Sequence, residues 1–199
     1  MKFSLAILAV VLTDTWVLDP IAPGWVTAIP VALVLGLAIW HAVGSGDWGI
    51  TPAAFLPALW RSAAITAAAA LAMYVAGSSR GTWHDRREAW TSLGLLIAWG
   101  FGQQFALHTV FLREAQTVLG RPAGVWLAAI FFAVLHLPNP LLSAMTFTGA
   151  LAWCWIYDRH PNLLPLALSH AVLTLAILYA FDEAVTGHLR VGAAYLSLR

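Results

Sequence analysis

Three short motifs put polar, proton-handling side chains inside otherwise apolar stretches of this 199-residue chain. The first is Gln103-Gln104-Phe105-Ala106-Leu107-His108. The second is Phe132-Ala133-Val134-Leu135-His136, continued by Leu137-Pro138-Asn139. The third is Ser169-His170, with Thr174 four positions on. An imidazole exchanges a proton near neutral pH. A carboxamide orients water or a carbonyl by hydrogen bonding but has no useful basicity. An α-helical period stacks Gln104 and His108 on one face and turns Gln103 to the adjoining one. Polar groups at membrane depth are costly unless partnered, and they face the interior of a helical assembly. The three motifs are therefore expected to converge on one buried, water-reachable polar pocket.

Two kinds of pocket fit these residues. In one, His108, His136 or His170 acts as a general base, or the three histidines with a glutamine hold a zinc ion and its water. In the other, the amides and imidazoles form a neutral hydrogen-bonded network that joins helices and does no chemistry. A lone histidine on an apolar helix is more often a satisfied packing residue than a catalyst. The weight lies in the order and spacing of the three motifs together.

Positioning these motifs falls to membrane helices. The chain is 61% hydrophobic and only 10% charged, against about 25% charged in a soluble domain. That balance excludes disorder and a water-soluble core. It implies an all-α, polytopic membrane helical bundle of about seven segments, one of them short, in a single domain over residues 1–199. Ten basic and nine acidic residues, with no basic cluster, leave no footprint for nucleic acid. The single cysteine, Cys154, excludes an intrachain disulfide and a cysteine-based metal cage. Tryptophans such as Trp25, Trp40, Trp60, Trp126 and Trp155 fall near segment ends, where amphipathic rings sit at headgroup level.

The segments are expected at residues 2–18, 25–43, 55–76, 90–112 with an extension to 119, 123–136, 141–157 and 163–181. The first resembles a signal peptide, but residues 13–16 offer no small-residue cleavage site, so it is read as an uncleaved span. Asp14 is read as interfacial. Pro20 and Pro23-Gly24 mark the first turn. Residues 77–88 are read as a surface loop in which His84 is merely solvated. The fifth segment is too short to cross fully before Pro138-Asn139-Pro140 stops it. The tail, 182–199, is weakly amphipathic and suits the membrane surface. Basic residues divide evenly between the two sides, so orientation is not decided.

In this order, a helix with a paired polar motif, then Phe132-x-x-x-His136-Leu137-Pro138-Asn139, then His170-x-x-x-Thr174 resembles the CPBP family. These are the CAAX proteases and bacteriocin-processing enzymes, intramembrane endopeptidases of glutamic type. The resemblance spans about residues 93–178 and includes the linking loop Asp158-Arg159-His160-Pro161-Asn162. It implies catalytic roles for Gln103, Gln104, His108, His136, His170 and Thr174. Thr174 stands where the family usually has asparagine and can still donate a hydrogen bond. It also implies a membrane-anchored or lipidated peptide or protein substrate, membrane lipids as surroundings, and an integral, multi-pass location in the cell (inner) membrane.

The first motif departs from the family's Glu-Glu-x-x-x-Arg. There the first glutamate is thought to activate water, with the histidines assisting and stabilising the oxyanion. Here all three charges are replaced together, by Gln103, Gln104 and His108. Most of the nine carboxylates sit in loops or at span ends. Glu114 shares the helix of Gln104 but lies ten residues on, about 15 Å along the axis. Asp14 is in another span. Neither replaces the missing base well. The expectation is an endopeptidase of CPBP type with a variant site. The alternatives are a pseudoprotease that binds membrane peptides or lipids, and a structural partner in a membrane complex.

Overall fold

The computed structural model describes residues 1–22, 24–84 and 91–198. The expected loop residues 85–88, the expected span start at Trp90, Pro23 and Arg199 lie outside them. The described residues are helices and loops, with one isolated bridge between Ile50 and Asn162. In order, α1 is Lys2–Thr13, followed by a π-helical turn Asp14–Leu18; α2 is Ala28–Ser45 and α3 is Phe55–Arg80. Then α4, Leu93–Phe105, passes through a π-helical stretch Ala106–Leu112 into α5, Arg113–Leu119. Next come α6 (Arg121–Val134), α7 (Pro140–Arg159), α8 (Leu163–Ala180), α9 (Glu183–Thr186) and α10 (Gly192–Leu196).

The protein is an all-α, polytopic membrane protein. Among the described residues, four helical stretches are long and apolar enough to cross a bilayer: Gly24–Ser45, Pro52–Arg80, Leu93–Leu119 and Leu163–Ala180. The short fifth segment is present as the 14-residue α6. One boundary moves. Residues 77–80, read as loop, complete α3, which ends only at Gly81 in the left-handed region (φ 69°). Their polarity misled because Ser78, Ser79 and Arg80 form an exposed last turn.

The chain falls into two compact units interleaved in sequence: Met1–Trp48, Phe105–Trp155 and Leu189–Arg199 form the first, Gly49–Gln104 and Ile156–His188 the second. In the first unit, Glu114 caps α1. Its Oε2 accepts from the Ser4 backbone N–H (2.8 Å) and the Ser4 hydroxyl (2.7 Å), and its Oε1 from the Phe3 N–H (3.3 Å). The first N–H groups of a helix have no intrahelical acceptor, and a carboxylate there also meets the positive end of the helix dipole. Arg113, one residue earlier, donates to Asp47 Oδ2 (2.7 Å) and to Gln116 Oε1 (3.3 Å). The α5–α6 hairpin closes tightly. A Cβ on Gly124 would lie 2.7 Å from the Gln116 backbone nitrogen, so only glycine fits.

In the second unit, α3 and α8 pack along each other. The alanine-rich α3 allows the close approach. At its end, a Cβ on Gly77 would sit 2.6 Å from the Ala180 carbonyl oxygen. Midway, the buried hydroxyls of Thr66 and Ser169 share a hydrogen bond at 2.6 Å. Asn162 opens α8 by accepting from the Leu164 N–H (3.2 Å), while its amide donates to the Thr51 carbonyl (3.1 Å). Beyond α3, Thr82 donates to the Ala180 carbonyl (2.7 Å), and His84 Nε2 pairs with Asp182 Oδ1 (2.6 Å). His84 is thus half-exposed but paired, not merely solvated.

Candidate functional site

The expected site residues divide between the units. Gln103, Gln104, His170 and Thr174 belong to the second, His108 and His136 to the first.

In the second unit, the first and third motifs meet. Gln104, on α4, is fully buried, and its amide Nε2 lies 3.1 Å from Nδ1 of His170 on α8. An NH2 group can only donate, so Nδ1 of His170 accepts and the ring hydrogen sits on Nε2. This assignment follows the placed orientation of the Gln104 amide. The contact depends on Gly100, one turn earlier on α4. A Cβ there would approach the Ala167 carbonyl oxygen to 3.2 Å and the His170 Cβ and Cγ to 3.5 Å. The neighbouring Ser169 is tied to Thr66, which fixes the turn of α8 that carries His170. Gln103 is half-buried, and its buried Oε1 has no hydrogen-bond partner among the described residues. Thr174 donates its hydroxyl hydrogen to the His170 carbonyl (3.0 Å). In this arrangement it offers oxygen lone pairs and not the hydrogen the resemblance implies.

In the first unit, His136 follows the last turn of α6. Its Nδ1 is 2.7 Å from the Phe132 carbonyl oxygen, and its ring packs edge-on against the Phe132 ring with centroids 4.9 Å apart. A carbonyl can only accept, so Nδ1 carries the hydrogen and Nε2 is left as a lone-pair nitrogen. The Phe-x-x-x-His spacing is what makes both contacts: residues four apart on a helix share a face. His108 is fully buried within the π-helical stretch Ala106–Leu112. The stacking of Gln104 and His108 assumed an uninterrupted α-helical period. The π-helical stretch begins between them, so that period does not apply.

Among the described residues, no group of three or more His, Cys, Asp or Glu side chains is gathered closely enough to hold a metal ion. Of the expected zinc set, His108 and His136 fall in the first unit and His170 in the second. Glu114, the nearest carboxylate along the first-motif helix, is engaged by α1 and is no substitute base.

Three functional supports were not legible in the motifs. Gly100 belongs to the Trp99-Gly100-Phe101-Gly102 run, whose close approach to α8 only the fold reveals. Thr66 and Ser169 are 103 residues apart and carry no pairing signal. Asn139, fully buried, both caps α7 and reaches the Arg190 carbonyl; its place before Pro140 was the available clue, since Asn followed by Pro is a strong helix start.

One family model, Rce1-like (type II CAAX prenyl endopeptidase Rce1-like), matches residues 85–176. That segment holds all three motifs and is similar to the CPBP/CAAX-protease family. No curated protein and no solved structure matches.

Proposed function

We propose that the protein is a membrane-embedded endopeptidase of CAAX-protease type, working without a glutamate base on a membrane-anchored or lipidated peptide. The observation that carries this reading is the Gln104–His170 hydrogen bond, which holds one of the family's two imidazoles in a defined tautomer. Each histidine, taken within its own unit, suits one role. His136 presents a lone pair at Nε2 and would accept the proton of the attacking water. His170 presents a hydrogen at Nε2 and would donate to the carbonyl oxygen as it gains negative charge. The water oxygen bonds to the carbonyl carbon, the C–N bond breaks, and the proton taken by His136 passes to the leaving amine. The unpartnered Oε1 of Gln103 is an acceptor able to orient a water. His108 is a buried support residue in this reading, and Thr174 holds the backbone of His170. The enzyme would work in the cell (inner) membrane.

A second reading has its own observation. The charges of the family's first motif are absent, and Glu114 is committed to capping α1. A neutral pocket of this kind would bind membrane peptides or lipids without cutting them.

The test is turnover of membrane-anchored peptides by the purified protein in lipid, beside Gln103→Glu. The endopeptidase reading expects measurable cleavage that Gln103→Glu raises. Peptide binding with no cleavage by either protein would select the second reading.

A further inference from the structure

The turn that carries His136 is held from outside by the tail. After α6, the backbone N–H groups of His136 and Leu137 bond to Ala133 and Val134, and the Asn139 N–H bonds to the His136 carbonyl (3.2 Å). Those bonds are local. Two others are not. The fully buried Asn139 accepts from the Leu142 N–H at Oδ1 (3.1 Å) and donates through Nδ2 to the Arg190 carbonyl (3.1 Å). The Gly192 N–H donates to the Leu137 carbonyl (2.8 Å). The turn is thus bonded on both sides of Pro138 to residues 190–192.

The tail is shaped for this. Leu189 and Gly192 both take positive φ, 56° and 58°. A bulky residue such as leucine adopts the left-handed region only where surrounding structure imposes it. Gly192 is also pressed on the first helix: a Cβ there would fall 2.2 Å from the Thr15 carbonyl oxygen. No other residue fits between Thr15 and the His136 turn.

We propose that residues 190–192 are a positioning strap for His136, acting through Asn139 and Gly192. The proposal rests on the endopeptidase reading for its meaning, because it concerns the aim of the proposed base. The strap fixes the turn. The turn fixes the end of α6, and that geometry keeps the His136 Nδ1–H on the Phe132 carbonyl and its Nε2 lone pair in one direction.

Two variants act on the strap from opposite sides. Asn139→Ser keeps a good cap for α7 but is too short to reach the Arg190 carbonyl. Gly192→Val drives the tail off Thr15. The full chain, labelled with 15N at histidine and held in lipid nanodiscs, is read by the ring N–H signals, with His170 in the other unit as internal control. Each variant is expected to speed water exchange of the His136 Nδ1–H by about tenfold or more and to leave the His170 ring signal unchanged. Turnover of a membrane-anchored peptide should fall by about tenfold in kcat with little change in KM, as for loss of aim without loss of binding. The double variant should be no worse than the worse single one, because both cut the same link. A folded Asn139→Ser or Gly192→Val protein with the wild-type His136 signal would overturn the strap. If the wild-type protein cleaves nothing but the ring exchange responds, the endopeptidase reading falls and the strap stands. Cleavage by wild type with no response in ring exchange removes the strap alone.

Discussion

His136 and His170 are anchored in opposite ways. His136 is held by its own helix: Nδ1 bonds to the carbonyl four residues back, and the ring leans on the side chain of the same residue. His170 is held by another helix: Nδ1 accepts from Gln104, 66 residues earlier in the chain. The first anchor is a backbone oxygen, and no side-chain replacement deletes it. The second is a side-chain amide, which a single substitution removes. The same difference sets the chemistry. A carbonyl forces hydrogen onto the bonded nitrogen, while an amide NH2 takes a lone pair from it. Two residues of one type, in two units, thereby present opposite faces of the imidazole.

The largest effect that would break this comparison is loss of function. His136→Ala and His170→Ala should each lower peptide turnover by about 10²–10⁴-fold, the usual range for removing a positioned proton donor or acceptor. Full activity in either variant, measured on the same anchored peptide, would dissolve the assignment for that residue.

Stability sharpens the contrast next. Gln104→Leu removes the amide donor to Nδ1 of the His170 ring. It should cost about 1–3 kcal/mol in reversible unfolding in mixed micelles. Gly100→Val probes the same contact sterically. Its side chain would press on the Ala167 carbonyl and the His170 ring, and about 1–3 kcal/mol of stability should be lost, the usual cost of overpacking. Neither change should alter the His136 ring signal, which reports a bond inside the first unit.

The smallest effect lies away from both histidines. Ser4→Ala removes the hydroxyl that Glu114 accepts, and about 1 kcal/mol should go with it, as for loss of a helix cap. Turnover per folded molecule should not change. A large loss of turnover in Ser4→Ala would return Glu114 to consideration as a catalytic group.

What was legible in the sequence follows the same division between local and distant. The helices were readable because apolar runs and their Pro and Gly boundaries are local signals. Gly120 and Pro122 placed the α5–α6 turn, and the short α6 was expected from its length. The His136 anchor was implicit in Phe132-x-x-x-His136. Motif order and the cost of polar groups in lipid raised the expectation of a later histidine as partner to the first motif, without choosing between His136 and His170 for Gln104. The π-helical stretch at Ala106–Leu112 had no signal, because the apolar run continues through those seven residues without a Pro or Gly break. The Thr66–Ser169 bond, the Glu114 cap and the Asn139–Arg190 bond each join residues more than 50 positions apart. One chain without its fold does not display such pairs.

The most direct test of the account is the tautomer of each histidine ring in the intact protein. With 15N-histidine label in nanodiscs, and with His136→Asn and His170→Asn to assign the signals, one spectrum of the neutral rings decides it. The account predicts that His136 carries its hydrogen on Nδ1 and His170 on Nε2. Finding both rings in the same tautomer would contradict it.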